Sequence, residues 1–204
     1  SDLVLTRARS DAERLASGEL CYLGVVRTPL LALGPRLAWG GGESNLMNEL
    51  FATTADVLRT TGELTAPHDQ QPSADGAPKD AASTRRRLAR MVGADARDAD
   101  DAHWLGFAQA LRARLVERIG ADLLRSARLH GFEAKGRGLS IIGTGCGDFL
   151  LPSLLEQLGW DGAPQRYADA VARIDAGAAP GTAEWVQVAT PCVAVASLAA
   201  REIG

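Results

Sequence analysis

The spacing of apolar residues along the chain predicts a protein that mixes helices with short strands. Apolar side chains recur every three or four residues over 100–129, which predicts the longest helix. A second stripe of this kind runs over 45–60 behind Ser44, a residue type that favours helix N-caps, and predicts another helix. Short apolar or β-branched runs predict strands at 3–8, 20–27, 30–33, 36–39 and 139–142.

Residues that favour turns separate these elements. The three glycines at 40–42 predict a tight turn, and the proline-rich stretch 63–78 predicts a long surface loop. A basic helix is predicted over 81–91, and a small apolar helix over 192–200, behind a Thr-Pro pair, is expected to pack against a sheet. Further helical segments are predicted at 11–16 and 149–158.

The composition is typical of a globular protein. Of 204 residues, 46% are hydrophobic and 23% are charged, and the net charge is −3. This balance gives no general attraction to nucleic acid or to an anionic membrane surface. No apolar run reaches the roughly 18 residues that a membrane span needs. Widely spaced cysteines without a C-x-x-C pair argue against a disulfide framework and favour a reduced, cytoplasmic setting, and scattered histidines argue against a zinc site.

A glycine-rich loop joins the strand predicted at 139–142 to the helix predicted at 149–158, with the sequence Gly143-Thr144-Gly145-Cys146-Gly147. Glycines let a backbone approach a ligand closely, and the first amides of the next helix favour an anion. The spacing is neither a Walker A motif nor G-x-G-x-x-G, and Asp148 would repel a phosphate, so a neutral part of a nucleotide fits this glycine loop better. A tight connection without a ligand stays open. Cys146 lacks a histidine partner, which favours packing over a nucleophilic role.

Arg27 and Thr28 follow the strand predicted at 20–27. Arg27 would therefore emerge at a strand end, where α/β sheets bind ligands. Its guanidinium could hold a phosphate or a carboxylate, and an ordinary surface arginine is the alternative.

Polar residues of the helix predicted at 45–60 share one face at helical spacing. Asn48 or Glu49 would align with Thr53 and Asp56. Such a face could hold Mg²⁺ through water, although a solvated helix face is favoured.

The proline-rich stretch and the basic helix carry further candidates. Asp75-Gly76 and Lys79 could close over a substrate as a lid, but a turn with an exposed lysine is favoured. The arginines at 85–87 and Arg90 could bind an anionic substrate tail, although a charge run more often forms a solvated face.

Several short motifs follow one another along the chain in a recognisable order. They are 11–20, Tyr22 with 24–29, 47–57, 61–64, Asp75-Gly76 with Lys79, 87–91 and 143–149. In this order they resemble the hydantoinase A/oxoprolinase-like family, and within it the tetrahydromethanopterin-linked C1-transfer pathway proteins, which are similar to an archaeal synthase of methanofuran biosynthesis. The resemblance covers nearly the whole chain. Its more specific parts are the Arg-Thr-Pro block and the Asn-Glu-x-Phe-Ala-Thr-x-Ala-Asp block.

The resemblance implies a fold and an activity. The fold would be the actin-like ATPase fold, two RNase H-like lobes around a cleft, with this chain as a helix-rich α/β C-terminal lobe that carries a helical insertion around 44–130. The phosphate loops of the N-terminal lobe would lie before Ser1, so the chain alone is expected to be weak or inactive. The activity would be a transferase that condenses a phenol, glutamyl-tyramine, with an aminomethyl-furan diphosphate and releases diphosphate. The alternatives are an ATP-dependent hydantoinase or oxoprolinase-like hydrolase and a non-catalytic ligand-binding lobe.

The resemblance also implies roles for individual residues. Arg27, Asp56 and Lys79 would be catalytic, with Asp56 near a Mg²⁺ ion that neutralises the leaving diphosphate. The glycine loop would line the pocket, and binding of ATP or another nucleotide is left open. The ligand would be a small phosphorylated molecule, and a homodimer is one option for the assembly. The implied substrate-binding residues are Thr28, Asn48, Glu49, Thr53 and Arg90.

Overall fold

The computed structural model describes residues 8–132, 140–172, 174 and 177–203, with side chains described up to 200. Its helices are α1 (Asp11–Ser17), α2 (Thr54–Thr60), α3 (Ala81–Arg90), α4 (Asp101–Leu129), α5 (Leu151–Leu158), α6 (Tyr167–Ala170), α7 (Thr182–Val188) and α8 (Thr190–Ile203). Its strands are β1 (Arg36–Trp39), β2 (Gly42–Asn45), β3 (Ile142–Gly143) and β4 (Gln165–Arg166). Short 3-10 turns lie at Leu30–Leu33, Ala66–His68, Ala96–Asp98 and Asp148–Leu150. The described chain is therefore a helix-rich α/β protein with small sheets.

The chain divides into two compact units. The central unit is Tyr22–Ile119, and the terminal unit combines Ser1–Cys21 with Gly120–Gly204. The sheet in each unit has two strands, antiparallel for β1 and β2 and parallel for β3 and β4. The actin-like fold and the helical insertion around 44–130 stay predictions.

A hairpin in the central unit confirms the strand predicted at 36–39 and the glycine turn. β1 pairs with β2 from Arg36 opposite Asn45 to Trp39 opposite Gly42. The two turn residues, Gly40 and Gly41, have φ of 62° and 80°. A two-residue hairpin turn of type I′ needs positive φ at both positions, which glycine adopts without strain.

The core of the central unit forms on α4, which confirms the helix predicted at 100–129. Trp104 is 1% exposed and Leu111 and Leu115 are fully buried on one face of this helix. The ring of Trp39 stacks on that of Trp104 at a centroid distance of 4.6 Å, and Phe107 meets Trp39 edge-on at 5.1 Å. Aromatic contacts of these two geometries are favourable beyond their buried area.

The helix predicted over 45–60 is wrong in its first half. Residues up to Asn45 belong to β2, and α2 begins at Thr54 behind the N-cap Thr53. The amide of Met47 is bound by the carbonyl of Met91, and Thr53 forms a bridge with Pro29. Tertiary hydrogen bonds therefore take the backbone groups that a helix would have used.

The strands predicted at 20–27 and 30–33 are also wrong. Residues 30–33 form a 3-10 turn, and 20–27 has no strand partner in the described structure. At Gly24, side chains bind the backbone instead: the Gly24 amide donates to Thr28 Oγ1 at 2.8 Å, and the Gly24 carbonyl accepts from Thr54 Oγ1 at 2.7 Å.

In the terminal unit, β3 leads through the glycine loop and a 3-10 turn into α5. The predicted helix at 149–158 is confirmed from Leu151 onward, and it ends at Gly159 with φ of 58°. Of the strand predicted at 139–142, Ile142 is found in β3, while residue 139 lies outside the described residues. Most of the strand predicted at 3–8 lies outside them as well.

The last helix does not pack as predicted. On α8, Val195 is 67% exposed and Leu198 is 60% exposed, so the expected contact with a sheet is wrong for these side chains. Within the described residues no single helix has the length and apolar composition to cross a membrane, and one pair, 182–188 with 190–200, has them jointly but is bent by 97°. The predictions for the other helices hold, since α1 and α3 lie where they were expected.

Candidate functional site

A buried ionic network in the central unit contains one predicted catalytic residue, Asp56. Its Oδ1 accepts from Arg87 Nε at 2.8 Å and from Arg59 Nη1 at 2.9 Å, and its Oδ2 accepts from the Thr53 amide at 3.1 Å. The Asp56 side chain is 2% exposed and that of Arg87 is 0% exposed. Two guanidinium groups and a helix cap thus hold both carboxylate oxygens.

The network continues through Asp69 to the predicted catalytic lysine. Arg59 donates from Nε and Nη2 to Oδ2 of Asp69 at 2.8 and 2.7 Å. Lys79 pairs with Oδ1 of Asp69 at 3.0 Å and also donates to its carbonyl. The turn expected at Asp75-Gly76 is present, but the lysine is not a free surface residue, because its side chain is only 31% exposed and is paired with Asp69.

Asp75 ties the proline-rich stretch to α3. Its Oδ1 accepts from Arg87 Nη1 at 3.1 Å, and its Oδ2 lies 3.4 Å from Arg90 Nη1. Burial opposes ionisation of Asp75, but the Ala77 amide and the Arg87 guanidinium outweigh it and hold the pKa of this carboxyl below its ordinary value. Arg90 is half exposed, whereas Arg87 is buried, so a solvated charge run describes the first arginine and not the second.

The predicted site residues Thr28 and Thr53 come together beside the start of α2. The Thr54 amide donates to the Thr28 carbonyl at 2.9 Å, and the Leu30 amide donates to the Ala52 carbonyl at 3.1 Å. The segment with Arg27 therefore runs antiparallel to the one with Thr53. Arg27 is exposed, and within the described residues it forms no hydrogen bond or ion pair, which leaves its guanidinium available to an anion.

The shared helix face predicted for Asn48, Glu49, Thr53 and Asp56 is wrong. Asn48 and Glu49 are exposed residues of the irregular segment before α2, Thr53 is its N-cap, and only Asp56 lies in the helix. The capping box between Thr53 and Asp56 was present in the sequence as Thr-Thr-Ala-Asp and identifies the true helix start.

The described residues around Asp56 do not fit a resident Mg²⁺ ion. A hard cation needs several oxygen ligands, and Asp56 has both oxygens bound by donors. Among the residues that the structure describes, no group of three or more His, Cys, Asp or Glu side chains is placed to hold a metal ion. The metal role of Asp56 stays a prediction that this geometry does not support.

A cavity of about 330 Å³ opens next to this network in the central unit. Its lining includes Arg59 and Thr60 from α2, Arg85 and Leu88 from α3, and Asp101, Trp104 and Leu105 from α4, together with Lys79, Ala81 and Thr84. Arg85 pairs with Asp101 at 2.7 Å. The cavity thus combines basic side chains with an apolar wall.

The glycine loop belongs to the terminal unit, where Gln187 of α7 forms hydrogen bonds with it and with the adjoining Asp148. Gln187 Nε2 donates to the Gly143 carbonyl at 2.8 Å and to Asp148 Oδ2 at 3.0 Å. Its backbone carbonyl accepts from the Gly145 amide at 2.8 Å, and its Oε1 accepts from the Ala168 amide at 3.1 Å. Gln187 is 1% exposed. One buried amide side chain therefore fixes the shape of the loop.

Glycine occupies two positions of the loop for different structural reasons. A Cβ on Gly143 would lie 2.4 Å from Leu151 Cδ1, whereas a Cβ on Gly145 would meet open space. Gly145 has φ of 80°, which L side chains rarely adopt. The loop is partly exposed between Thr144 and Gly147, so its outer face is accessible. Its predicted ligand-binding role stays a prediction.

Cys146 lacks the electrostatics of a nucleophile. Burial raises the pKa of its thiol, and the nearby Asp148 carboxylate raises it further. The thiol is thus protonated near neutral pH.

Sequence reasoning missed some residues of these networks and assigned another role to others. They are Arg59, Arg87, Asp69 and Gln187. Arg87 was grouped with a run of surface arginines, but it lies on the buried face of α3, where it donates to Thr84. Arg59 lies three residues after Asp56, a spacing that predicts a pair on one helix face. Gln187 has no local sequence signal.

Comparison with known proteins places the chain near archaeal synthases that make a furan-containing amine. No protein-family model matches the chain. It is 27% identical over 195 residues to the "(4-{4-[2-(gamma-L-glutamylamino)ethyl]phenoxymethyl}furan-2-yl)methanamine synthase" of Methanocaldococcus jannaschii. It is 25% identical over 150 residues to a protein of the same name from Methanococcus vannielii.

The two matches cover unequal shares of the chains. The first covers 96% of this chain and 53% of its relative, and the second covers 74% of this chain and 65% of its relative. The chain therefore spans about half the length of the first relative. These matches support the resemblance to the archaeal synthase, while the wider hydantoinase A/oxoprolinase-like assignment stays a prediction.

Proposed function

We propose that this protein is a transferase-type enzyme of methanofuran-like carrier biosynthesis. It would join a phenol, glutamyl-tyramine, to an aminomethyl-furan diphosphate and release diphosphate. The observation that carries the proposal is the 27% identity over 96% of the chain to a protein named for the phenoxymethyl-furan amine that it makes.

The ether in that name is the bond that the proposed reaction would form, and the diphosphate leaving group is part of the proposal. The phenolic oxygen attacks the exocyclic methylene carbon of the furan and forms the C–O bond of the phenoxymethyl group. The bond from that carbon to diphosphate oxygen breaks, and diphosphate leaves with the electron pair. The phenolic proton passes to a base or to water. Charge accumulates on the leaving group, so cations near it lower the barrier.

Arg27 is the residue best placed to serve as such a cation. It is exposed, it has no partner among the described residues, and it precedes Thr28, whose carbonyl is bound by the Thr54 amide. Lys79 and Arg90 supply further positive charge, although each is paired with an aspartate. An Arg27 guanidinium would bind two phosphate oxygens through its fork.

A divalent cation would supply further neutralisation of the diphosphate when bound. Mg²⁺ is the proposed ion, and it would arrive on the diphosphate, because Asp56 is held by arginines. The residues of this chain would bind and orient the phosphorylated ligand.

The test is a direct assay of ether formation. The protein is incubated with the furan diphosphate, glutamyl-tyramine and Mg²⁺, and the ether is measured by mass spectrometry and the released diphosphate by a coupled assay. The M. jannaschii synthase is the positive control. Equal amounts of ether and diphosphate are expected. Turnover by the control without any by this protein, at matched concentration and over a long incubation, would contradict the proposal.

A second candidate is a ligand-binding protein without catalysis. The specific observation in its favour is that Asp56 and Lys79, two of the predicted catalytic residues, are engaged in ion pairs. This candidate predicts saturable binding of the furan diphosphate with no ether formed, and an Arg27→Ala variant that weakens binding.

A further inference from the structure

We propose that a groove beside the β1–β2 hairpin of the central unit is a binding site for a small aromatic amine in its cationic form. The groove has a volume of about 1120 Å³ and is lined by the tip of the hairpin, by residues of the segment 94–100 and by the first half of α4. Arg27, Asp56 and Lys79 are absent from its described lining. Its ligand carries no phosphate, so the inference goes beyond the proposed function.

One wall of the groove is a packed cluster of aromatic rings. Trp39 stacks on Trp104 at a centroid distance of 4.6 Å, and Phe107 meets Trp39 edge-on at 5.1 Å. Trp104 is 1% exposed and Phe107 is 3% exposed, so buried neighbours hold the ring of Trp39 in place. Trp39 itself is only partly buried and lines the groove. A ligand ring placed against it would gain a favourable aromatic contact in addition to its buried area.

Gly106 keeps the groove open although glycine is unfavourable in a helix. It lies in the interior of α4, where alanine would be more stable. A Cβ on Gly106 would meet no neighbouring atom within 4 Å, so packing does not require a glycine there. Since Gly106 lines the groove, a side chain at this position would occupy part of its open space. The room that Gly106 leaves for a ligand therefore accounts for the residue.

The charged side chains of the groove favour a cation. The titratable residues that line it are Asp98, Asp100 and His103, and its described lining contains no lysine or arginine. The His103 amide donates to Asp100 Oδ1 at 2.9 Å, and His103 Nδ1 lies 2.6 Å from the same oxygen. These contacts, the amide first, hold the pKa of the Asp100 carboxyl below its ordinary value, so this group is charged at neutral pH. His103 adds positive charge only when it is protonated.

Each of the two carboxylates keeps one oxygen for a ligand. Asp98 Oδ2 accepts from the Asp95 amide at 2.7 Å, and Asp100 uses Oδ1 for His103. Within the described structure, Asp98 Oδ1 and Asp100 Oδ2 form no hydrogen bond. Arg97, which is adjacent in sequence, pairs with Asp95 at 3.2 Å and has a side chain that is 84% exposed. An ammonium group has three N–H donors, and these two oxygens can accept from it.

The two halves of the lining together select the class of ligand. The aromatic wall suits a ring, and the carboxylates of Asp98 and Asp100 suit an ammonium group and repel an anion. The volume exceeds what one ring fills, so the groove has room for an amine of drug-like size.

The experiment is a calorimetric titration of the whole chain at pH 8 with three indoles that differ in charge. Tryptamine carries an ammonium group at this pH, tryptophol is neutral and indole-3-propionate is an anion. Tryptamine should bind saturably, tryptophol about tenfold more weakly, and indole-3-propionate without saturation. Butylamine, an ammonium ion without a ring, should bind about tenfold more weakly than tryptamine.

Variants of the two aspartates test the acidic side of the groove. Asp98→Asn and Asp100→Asn each remove a charge but keep an acceptor for the existing hydrogen bond. Each should weaken tryptamine binding by about threefold. Glu117→Gln is the matched control, because Glu117 lies on the same helix, is 57% exposed and does not line the groove. It should leave the affinity unchanged.

Variants of Gly106 separate binding from stability. Gly106→Ala should raise the urea midpoint, because alanine favours the helix, and should weaken tryptamine binding. Gly106→Leu should fill the groove and weaken binding by at least about tenfold in a protein that still folds. A loss of affinity with no loss of stability is a result that misfolding would not produce.

Three results would overturn the site. They are absence of saturable tryptamine binding by the folded protein, equal affinity for tryptamine and tryptophol, and full affinity in the folded Gly106→Leu variant. A tri-lysine peptide that binds as tightly as tryptamine would overturn the aromatic ligand and indicate a basic polypeptide instead. Because none of these measurements uses ether formation, failure of this site and failure of the proposed function are distinguishable.

Discussion

Arg87 donates from Nε to Oδ1 of Asp56 at 2.8 Å, and both side chains lie out of contact with solvent. The pair joins α3 to α2. Thr84 and Asp75 accept from the remaining nitrogens of the same guanidinium. Because both charged groups are buried, each depends on the other for part of its compensation, with Arg59 and Asp75 supplying the rest.

Removal of one partner should therefore be strongly destabilising. We expect Arg87→Met to lower the free energy of unfolding by about 3–5 kcal/mol, because it leaves the buried Asp56 carboxylate with one fewer cation. Urea denaturation followed by far-UV circular dichroism measures this. Arg97→Met, at an exposed ion pair, should change the free energy by no more than about 0.5 kcal/mol. Equal urea midpoints for Arg87→Met and Arg97→Met would contradict the buried Arg87–Asp56 pair.

The Glu63–Arg112 pair should make stability depend on pH in the acid range. Burial opposes ionisation of Glu63, but hydrogen bonds from Arg112 and Thr61 outweigh it and lower the pKa of the carboxyl. A lowered folded-state pKa contributes stability above the unfolded pKa, about 4.3, and this contribution is lost as the pH falls through the lower folded value.

The corresponding measurement is the urea midpoint between pH 6 and pH 3. The wild type should lose stability below about pH 4.3 as Glu63 takes up a proton. Glu63→Gln should be less stable at pH 6 and should change less on acidification. Glu117→Gln, at a surface pair that is 57% exposed on the glutamate side, is the matched control and should keep the wild-type slope. Parallel slopes for all three proteins would rule out the effect.

A side chain at Gly143 should destabilise the protein, because Leu151 would have to move to make room for it. A Cβ at this position lies 2.4 Å from Leu151 Cδ1 and 3.3 Å from Asp148 Cβ. We expect Gly143→Ala to lower the free energy of unfolding by about 1–3 kcal/mol through overpacking. Adding Leu151→Ala to that variant should cost less than Leu151→Ala costs in the wild type, because the first contact is then relieved. Strict additivity in this double-mutant cycle would contradict the close approach.

Gln187 should control the order of the glycine loop. Gln187→Glu can still accept from the Ala168 amide, but it cannot donate to the Gly143 carbonyl and it places a second carboxylate against Asp148. We expect a loss of about 1–3 kcal/mol at pH 7 and faster hydrogen exchange at the Gly145 amide.

Acidification provides the control for that variant. Its introduced carboxyl has a raised pKa in the folded state, because a carbonyl and a carboxylate face it, so protonation restores a donor and stability should recover as the pH falls from 7 to 5. Gln187→Leu has no group to protonate and should show no recovery. The same pH response in both variants would contradict the role of the Gln187 amide.

Local patterns predicted the elements whose hydrogen bonds are local. The stripe of α4 and the two-glycine turn of the hairpin need no distant partner, and both were predicted correctly. The helix start at Thr53 was missed, because the backbone of Met47 binds Met91 and that of Thr53 pairs with Pro29 instead of continuing a helix. Those contacts bridge distant parts of the sequence, which a single sequence does not reveal.

In the candidate site, too, the sequence indicated some residues but not the contacts between distant parts of the chain. Asp56, Lys79 and Arg90 were singled out as candidate site residues, and the structure brings them into one charged network, while their functional roles stay predictions. The burial of Asp56 and Arg87 within this network follows from the packing of α3 against α2, which residue types alone do not report. The link from Gln187 to the glycine loop joins positions 44 residues apart and has no signal in the sequence.

The tip of the β1–β2 hairpin offers a place for chemical modification. Gly40 and Gly41 hold backbone angles, φ of 62° and 80°, that mirror-image amino acids prefer. D-alanine introduced at both positions by peptide ligation would fit the turn and restrict the unfolded chain. A D-residue bearing a fluorophore would then report from the rim of the groove beside Trp39 while leaving the strand register intact.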